Sequence, residues 1–286
     1  MLIKYLLPIS FCLLSFLNAR GDDLYRPLIQ PLGRDSDPKV VEDISKFKLW
    51  NRKVIWSALS VPGMRFMANL IFPKSTVVYF DIDQKVVAFT IDDGFCGVDN
   101  PNGDMTDEIR ELFKKYDAKA TFFVTGTHCM HTDKEKIEKL LQDGHELANH
   151  GMYDWPYNNY SKDKFTDDFM QTDQILRQYT DNIPKYYRAP HAKISETMQN
   201  VLDEKGYTHV VCDGFADDTS IPDAQWISKF ILKKTKPGSI LLIHMPERGV
   251  REWTYEAIEL TLKGLKEEGY SVTTVSELQR LSESTR

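Results

Sequence analysis

The sequence has few cysteines, no long basic run and little apolar sequence of membrane-spanning length. Of its four cysteines, Cys12 lies in an apolar N-terminal stretch, which leaves the odd set of Cys96, Cys129 and Cys212. An odd set excludes a closed disulfide framework and allows at most one bridge. The formal net charge of -6, with no basic run, argues against nucleic acid as the main ligand.

The longest apolar run is at the N-terminus. A positive start, Met1–Lys4, precedes the apolar run 5–17, and Ala19 offers a small residue for cleavage. This pattern predicts a secretory signal peptide, residues 1–20, and a secreted protein. An uncleaved anchor is the alternative, because Leu17 lies where a small residue is expected. After cleavage we expect no stable membrane span, since no later run is long and apolar enough.

From residue 85 onward, strand patterns alternate with helix patterns. Apolar and β-branched runs predict strands at Lys85–Ile91, Ala120–Val124, His145–Asn149, Tyr186–Ala189, His209–Cys212, Ile240–Ile243 and Ser271–Thr274. Amphipathic segments predict helices near Thr106–Tyr116, Lys134–Gln142, Lys162–Tyr179, Ser195–Lys205, Asp223–Lys236, Trp253–Glu268 and Ser276–Leu281. Such repeats imply an α/β fold with a parallel sheet, either doubly wound or closed. Seven strands favour an incomplete barrel.

The stretch before these repeats differs in character. Residues 21–80 contain proline-rich, polar and aromatic segments, with an amphipathic helix predicted from about Val40 to Leu59. We interpret residues 21–80 as an N-terminal extension packed on a main domain of residues 81–286.

Two adjacent carboxylates follow the first of these strands directly. Asp92 and Asp93 end a continuous apolar run, and Gly94 permits a sharp turn beyond them. Acids in this position must be paired, hydrogen-bonded or metal-bound, because the strand is expected to be buried on both faces. A polar turn is the alternative interpretation, since Asp and Gly are common turn residues.

Other polar residues lie at the same ends of later strands. These residues are His150 and Asp154 after the third strand, Arg188 at the end of the fourth, Asp213, Asp217 and Asp218 after the fifth, and His244 at the end of the sixth. In parallel α/β barrels this end carries the active site. Each residue alone has a structural explanation, so their convergence on one face is what predicts a site.

These stretches resemble the polysaccharide deacetylases, also called the NodB-homology or carbohydrate esterase family 4 domain. Five segments match its motifs in order: Thr90–Gly94, Asn149–Asp154, Arg188–His191, Asp213–Asp218 and Leu242–His244. Residues 119–126 look like the family's second strand, so the resemblance covers about residues 86–281. It implies a distorted (β/α)7 barrel.

The resemblance implies catalytic roles for four residues. Asp92 would be the general base, with Arg188 paired to it to hold its geometry. His244 would protonate the leaving nitrogen, and a carboxylate would orient its ring. We favour Asp218 over Asp217 for that carboxylate.

The resemblance also implies one divalent metal ion, with zinc favoured and cobalt or manganese as alternatives. Its ligands would be Asp93, His150 and Asp154. The family usually has a second histidine where this chain has Asp154. Aspartate is a legitimate ligand, and subgroups with an Asn-His-x-Met-x-Asp pattern look similar, so we interpret the difference as a substitution.

The substrate side departs further from the family pattern. The backbone N–H of His191 would donate to the oxyanion, and Pro190 and Leu242 would line the substrate site. His191 lies where an aromatic residue is more usual, and Thr219 lies where the family has tryptophan. The acetyl pocket is therefore expected to be built differently.

The function expected from this resemblance is metal-dependent removal of N-acetyl groups from an extracellular polysaccharide containing N-acetylglucosamine. Chitin or chitooligosaccharide is favoured as substrate, and peptidoglycan is second. The alternatives are a catalytically silent, carbohydrate-binding relative, which Asp154 favours, and an amidase acting on a small cyclic amide. Asp92, Arg188 and His244 count against the silent relative, since a binding module has no use for a base and an acid.

Overall fold

The computed structural model describes residues 46–58, 65, 72–73 and 75–284. The predicted signal peptide, residues 1–20, and the start of the predicted N-terminal helix, residues 40–45, lie outside the described residues. Within these ranges, no helix has both the length and the apolar character that crossing a membrane requires.

Strands and helices alternate along the described residues. The strands are β1 (Thr76–Val77), β2 (Val86–Gly94), β3 (Ala120–Val124), β4 (Glu146–Asn149), β5 (Tyr186–Tyr187), β6 (Thr208–Val210), β7 (Ile240–His244) and β8 (Ser271–Thr273). The helices are α1 (Lys46–Ala58), α2 (Thr106–Lys115), α3 (Gly126–His131), α4 (Lys134–Gln142), α5 (Lys162–Leu176), α6 (Glu196–Lys205), α7 (Ala224–Lys234), α8 (Trp253–Glu267) and α9 (Val275–Ser284). Each predicted strand of the main domain is present, whereas β1 and α3 were not predicted.

The strands form one parallel sheet that closes on itself. The strand order is β1-β6-β5-β4-β3-β2-β7, and β8 pairs with the start of β2. Just after β6, Gly214 pairs with Leu241 of β7: the Gly214 amide donates to Ile240 O at 3.2 Å and accepts at its carbonyl from Leu242 N at 2.8 Å. This contact joins the chain after β6 to β7 and closes the sheet, in agreement with the predicted distorted (β/α)7 barrel.

Strand β2 explains why the barrel has an apolar interior and a polar mouth. Val87, Phe89 and Ile91 are fully buried against the surrounding helices, while Ala88 lies in the interior beside Phe123. Side chains alternate along a strand, so Thr90 and Asp92 share the inward face of Ala88. The carboxyl end of β2 therefore brings polar groups to the mouth.

Helix α9 closes the opposite end of the interior. Its Val275 and Leu278 belong to the interior cluster, and the Val275 N–H donates to Thr121 Oγ1 near the start of β3 at 2.8 Å. With this end filled, the carboxyl ends of the strands are the face left for a site.

Helix α1 lies against the main domain near the loop after β6. Trp56 is buried edge-on to Phe215, and its Nε1 donates to Asp217 at 3.1 Å. Cys96, Cys129 and Cys212 are buried and form no disulfide with one another, so packing of the core holds the described residues together.

We expect Phe123→Ala to destabilise the fold by about 3–5 kcal/mol, because it leaves a cavity in the barrel interior. Phe123 is fully buried, and its ring centroid lies 4.0 Å from Arg188 Cζ. Urea unfolding followed by circular dichroism measures the change. The control is Met130→Ala, at a residue that is 56% exposed, where we expect a change within about 0.5 kcal/mol. Similar losses in both variants would contradict the interior position of Phe123.

Candidate active site

A bulge at the end of β2 turns both aspartates toward the same site. Asp92 pairs with Phe123 and Gly94 with Val124, so Asp93 is the extra residue. Its φ of 58° is left-handed, a conformation that aspartate tolerates better than most residues. Adjacent side chains in a regular strand point to opposite faces. Here His150 Nε2 lies 3.9 Å from Asp92 Oδ2 and 3.5 Å from Asp93 Oδ1.

Arg188 holds the first aspartate from within the barrel. Its Nη1 donates to Asp92 Oδ1 at 2.6 Å and to Thr90 Oγ1 at 2.7 Å. Its Nε and Nη2 donate to the carbonyl oxygens of Val210 and Val211, both at 3.0 Å. The guanidinium is therefore bound on several sides, and Asp92 Oδ1 has a fixed position.

The His150 ring is oriented by backbone groups. Its Nδ1 donates to the carbonyl oxygen of Arg188 at 2.8 Å, and its own amide donates to Val124 O at 3.0 Å. Because a carbonyl can only accept, the proton lies on Nδ1 and Nε2 faces the aspartates. Asn149 shapes the following turn by accepting from the Gly151 N–H at 2.8 Å.

Asp93, His150 and Asp154 form a donor set that fits a divalent cation. One ligand atom from each lies within 4.8 Å of the others. Carboxylate and imidazole donors suit zinc and harder divalent ions. The hydrogen bond from His150 Nδ1 to a carbonyl is also the arrangement typical of metal-binding histidines, because it leaves Nε2 free to bind.

The charges at this site influence one another. Burial raises the pKa of Asp93, but the hydrogen bond from His150 and the charge of Arg251 outweigh it and hold that pKa well below its usual value. Burial lowers the pKa of His150, but the charges of Asp92 and Asp93 outweigh it and raise that pKa. The acids thus favour the protonated form of His150, which has to lose its Nε2 proton before that atom can bind an ion.

His244 and Asp218 form a second pair across the mouth. Asp218 is fully buried, and its two oxygens accept from the His244 amide at 2.7 Å and from its Nδ1 at 2.9 Å. Burial lowers the pKa of His244, but the Asp218 charge outweighs it and raises that pKa to about 9. The ring is therefore protonated near neutral pH and can act as an acid.

The other two acids after β6 have different partners. Asp217 accepts from Trp56 Nε1 at 3.1 Å and from Arg52 at 3.4 Å, both on α1. Asp213 accepts from Arg65 at 2.8 Å and from the Ile240 N–H at 2.9 Å. Of the three, Asp218 is the one beside His244.

The residues predicted to bind substrate lie in two places. Pro190 is buried and begins a short 3₁₀ turn, Pro190–Ala192, in which His191 has a φ of 55°. The His191 ring is half-exposed, and its Nε2 lies 3.3 Å from Asp154 Oδ1, a contact that we did not predict. Leu242 is buried in the barrel interior below His244. Their roles toward substrate stay predictions.

Sequence reasoning missed three residues that contact Asp93 or its partner. Arg251 Nη1 donates to Asp93 Oδ2 at 2.8 Å, and Glu247 lies behind it, 3.6 Å from Arg251 Nη2. His128 Nδ1 lies 3.1 Å from the Asp93 carbonyl oxygen. Arg251 lies 158 positions after Asp93, and nothing in the sequence indicated that the two residues meet.

The fold and site are those of a parallel α/β barrel with acid–base pairs and a candidate metal centre at its mouth, and comparison with known proteins gives the family. Residues 81–210 match the family model described as polysaccharide deacetylase. A peptidoglycan-N-acetylglucosamine deacetylase from Bacillus cereus is 30% identical over 200 residues, which are 69% of this chain and 90% of that protein. The chain therefore belongs to the polysaccharide deacetylase family, which confirms the resemblance and the predicted enzyme class.

Solved structures show the same barrel. A family 4 acetyl xylan esterase from Clostridium thermocellum, in complex with a cobalt ion, is 29% identical with a TM-score of 0.60, covering 69% of this chain and 91% of that one. A carbohydrate esterase family 4 pseudoenzyme from Bacillus anthracis is 22% identical with a TM-score of 0.62, covering 72% and 69%. The second likeness concerns the fold alone.

We expect Asp218→Asn to lower the pKa of His244 from about 9 toward 6.5, because the imidazolium loses its counter-charge. A titration of the imidazole C–H signals by NMR measures it. Because the pKa in the folded state is raised, the pair stabilises the fold fully below about pH 6.5, and this contribution is lost as pH rises through about 9.

Asp217→Asn is the matched control, since that neighbouring carboxylate is directed to α1. We expect it to leave the His244 titration unchanged. An equal fall in both variants would mean that general acidity of the loop, and not the Asp218 contact, sets the pKa.

Proposed function

We propose that this chain is a metal-dependent hydrolase that removes N-acetyl groups from a glycan containing N-acetylglucosamine. One observation carries the proposal: the ligand atoms of Asp93, His150 and Asp154 lie within 4.8 Å of one another, directly beside Asp92. Hydrolysis of an unreactive amide needs an activated water, a stabilised oxyanion and a proton for the departing nitrogen.

In this proposal Asp92 takes the proton from the attacking water. Its Oδ1 accepts from Arg188, whereas its Oδ2 is on the side of His150, toward the donor set. One oxygen is thus used for positioning and the other can accept a proton.

His244 gives a proton to the leaving nitrogen. Its Nδ1 is engaged by Asp218, so Nε2 is the atom that can donate. A raised pKa of about 9 keeps that proton present at neutral pH. A divalent ion held by Asp93, His150 and Asp154 would supply Lewis acidity toward the acetyl carbonyl and lower the pKa of water.

The choice of glycan is the finer part of the proposal. The Bacillus cereus relative is named for peptidoglycan N-acetylglucosamine, and this supports peptidoglycan beside the chitin that the sequence favoured. The two polymers share the N-acetylglucosamine unit, so we propose that unit as the target. Secretion, as the N-terminal pattern predicts, would bring the enzyme to either polymer.

The pseudoenzyme with the same barrel gives a reason to keep the silent, carbohydrate-binding relative as a second candidate. Against it, this chain has a complete pair of base and arginine and a complete pair of acid and aspartate. The amidase acting on a small cyclic amide fits less well, because the donor set gives this chain a place for a metal ion.

Acetate release from chitooligosaccharides and from peptidoglycan fragments tests the proposal. We expect release to disappear after chelation and to return with zinc or cobalt. Asp92→Asn should lower kcat by about 10²–10⁴-fold, because the general base is lost. Asp107→Asn, at a carboxylate that is 46% exposed, should leave activity unchanged. No release from either substrate by the folded, metal-loaded chain would favour the silent relative.

Loss of a residue that only hydrogen-bonds to a metal ligand weakens metal binding by about 10–100-fold. Asp154→Ala should weaken zinc binding by more than this, because it removes a ligand itself. Competition with a chelating dye measures the dissociation constant. Asp154→His should bind zinc far better than Asp154→Ala, since imidazole is also a zinc ligand. Equal affinities in the wild type and in Asp154→Ala would remove Asp154 from the donor set.

A further inference from the structure

Arg251 makes the two oxygens of the candidate metal ligand Asp93 different, because it hydrogen-bonds to one of them. Its Nη1 donates to Oδ2 at 2.8 Å, while Oδ1 lies 3.5 Å from His150 Nε2, on the side of the donor set. An aspartate with both oxygens free can rotate and bind an ion through either or both. With Oδ2 hydrogen-bonded to a guanidinium, Oδ1 is the oxygen left for an ion.

Arg251 is in turn held by a buried glutamate. Glu247 is fully buried, and its Oε1 lies 3.6 Å from Arg251 Nη2. Its other oxygen accepts from the Gly97 N–H at 3.0 Å and from Asn100 Nδ2 at 2.9 Å. Glu247 therefore connects the loop after β7 to the loop after β2, the same loop that follows Asp93.

The backbone at Arg251 is itself unusual. Its φ of 54° is left-handed, which costs free energy for a residue with a Cβ. The side chain is only 12% exposed. A long cation is thus kept in a strained, mostly buried position. Among the described residues its shortest ion pair is with Asp93, at 2.8 Å, which points to a role at that carboxylate.

Charge gives a second reason for this arrangement. The donor set contains two carboxylates, Asp93 and Asp154, where the family usually has one carboxylate and two histidines. A guanidinium 2.8 Å from Asp93 offsets part of the negative charge of the two carboxylates.

We infer that Arg251, held by Glu247, is a positioning residue for the metal ligand Asp93, reserving Oδ1 for the ion. The inference rests on the proposed function in that it requires an ion at Asp93, His150 and Asp154. It assigns the otherwise unexplained segment 247–251 to the construction of that site.

The test compares Arg251→Met and Arg251→Lys with the control Arg248→Met. Arg248 lies on the same loop but pairs with Glu108, at the surface and away from the donor set. Zinc affinity is measured by chelator competition, cobalt coordination by the visible absorption spectrum, and folding by circular dichroism. None of these readouts requires catalytic activity.

We expect Arg251→Met to weaken zinc binding by about 10–100-fold and to change the cobalt spectrum. The zinc affinity of Arg251→Lys should lie between those of Arg251→Met and the wild type, because lysine keeps the positive charge but lacks the planar guanidinium with its several N–H donors. Arg248→Met should match the wild type in affinity and spectrum.

Glu247→Gln keeps the test decisive if Arg251→Met fails to fold. The glutamine carbonyl can still accept from Gly97 and Asn100, but its amide would face the guanidinium. We expect Glu247→Gln to bind zinc more weakly than the wild type, with a smaller loss of affinity than in Arg251→Met.

Three results would overturn the inference. Unchanged affinity and spectrum in Arg251→Met and Glu247→Gln would make the ion pair irrelevant to the ion. Tighter zinc binding in Arg251→Met would make the guanidinium a competitor of the ion. A wild-type chain that binds no ion would overturn the proposed function as well, whereas the first two results would leave it standing.

Discussion

The site depends on one buried ion pair, between Arg188 and Asp92. Removing both charges from water costs several kcal/mol per ion unless they are paired and hydrogen-bonded. Arg188 meets that condition by donating to Asp92, to Thr90 and to the backbone carbonyls of Val210 and Val211 at the end of β6. Because these partners come from β2 and from the end of β6, the pair forms only when the barrel has closed. The geometry of the proposed base is therefore a consequence of the whole fold.

Around this pair, the site balances three further carboxylates with positive groups. The ion pairs are Arg251 with Asp93, His244 with Asp218, and the half-exposed His191 with Asp154. Each acid after a strand thus has a partner contributed by a different loop. This explains why acids gather at one end of the barrel without destabilising it, and why a divalent ion would be a further partner.

Much of this could be predicted because its signals are local. The seven strands of the main domain are apolar runs, and Asp92, Asp93, Arg188 and His244 follow them at the end that carries sites in parallel barrels. Asp218 contacts the His244 ring, whereas Asp217 is directed to Trp56 of α1. The contact between His191 and Asp154 was not predicted, because these residues lie on two separate loops that approach each other only in the folded protein.

The sequence by itself determined the alternation of strands and helices, the family, and the residue types at the mouth, because periodicity and adjacent motifs are properties of short segments. Tertiary structure decided two things that matter for the chemistry. The bulge that places Asp93 beside Asp92 depends on the register of β2 against β3, and a one-residue register is not visible in composition. Arg251 reaches Asp93 across 158 positions, since packing, and not sequence proximity, decides which charges meet.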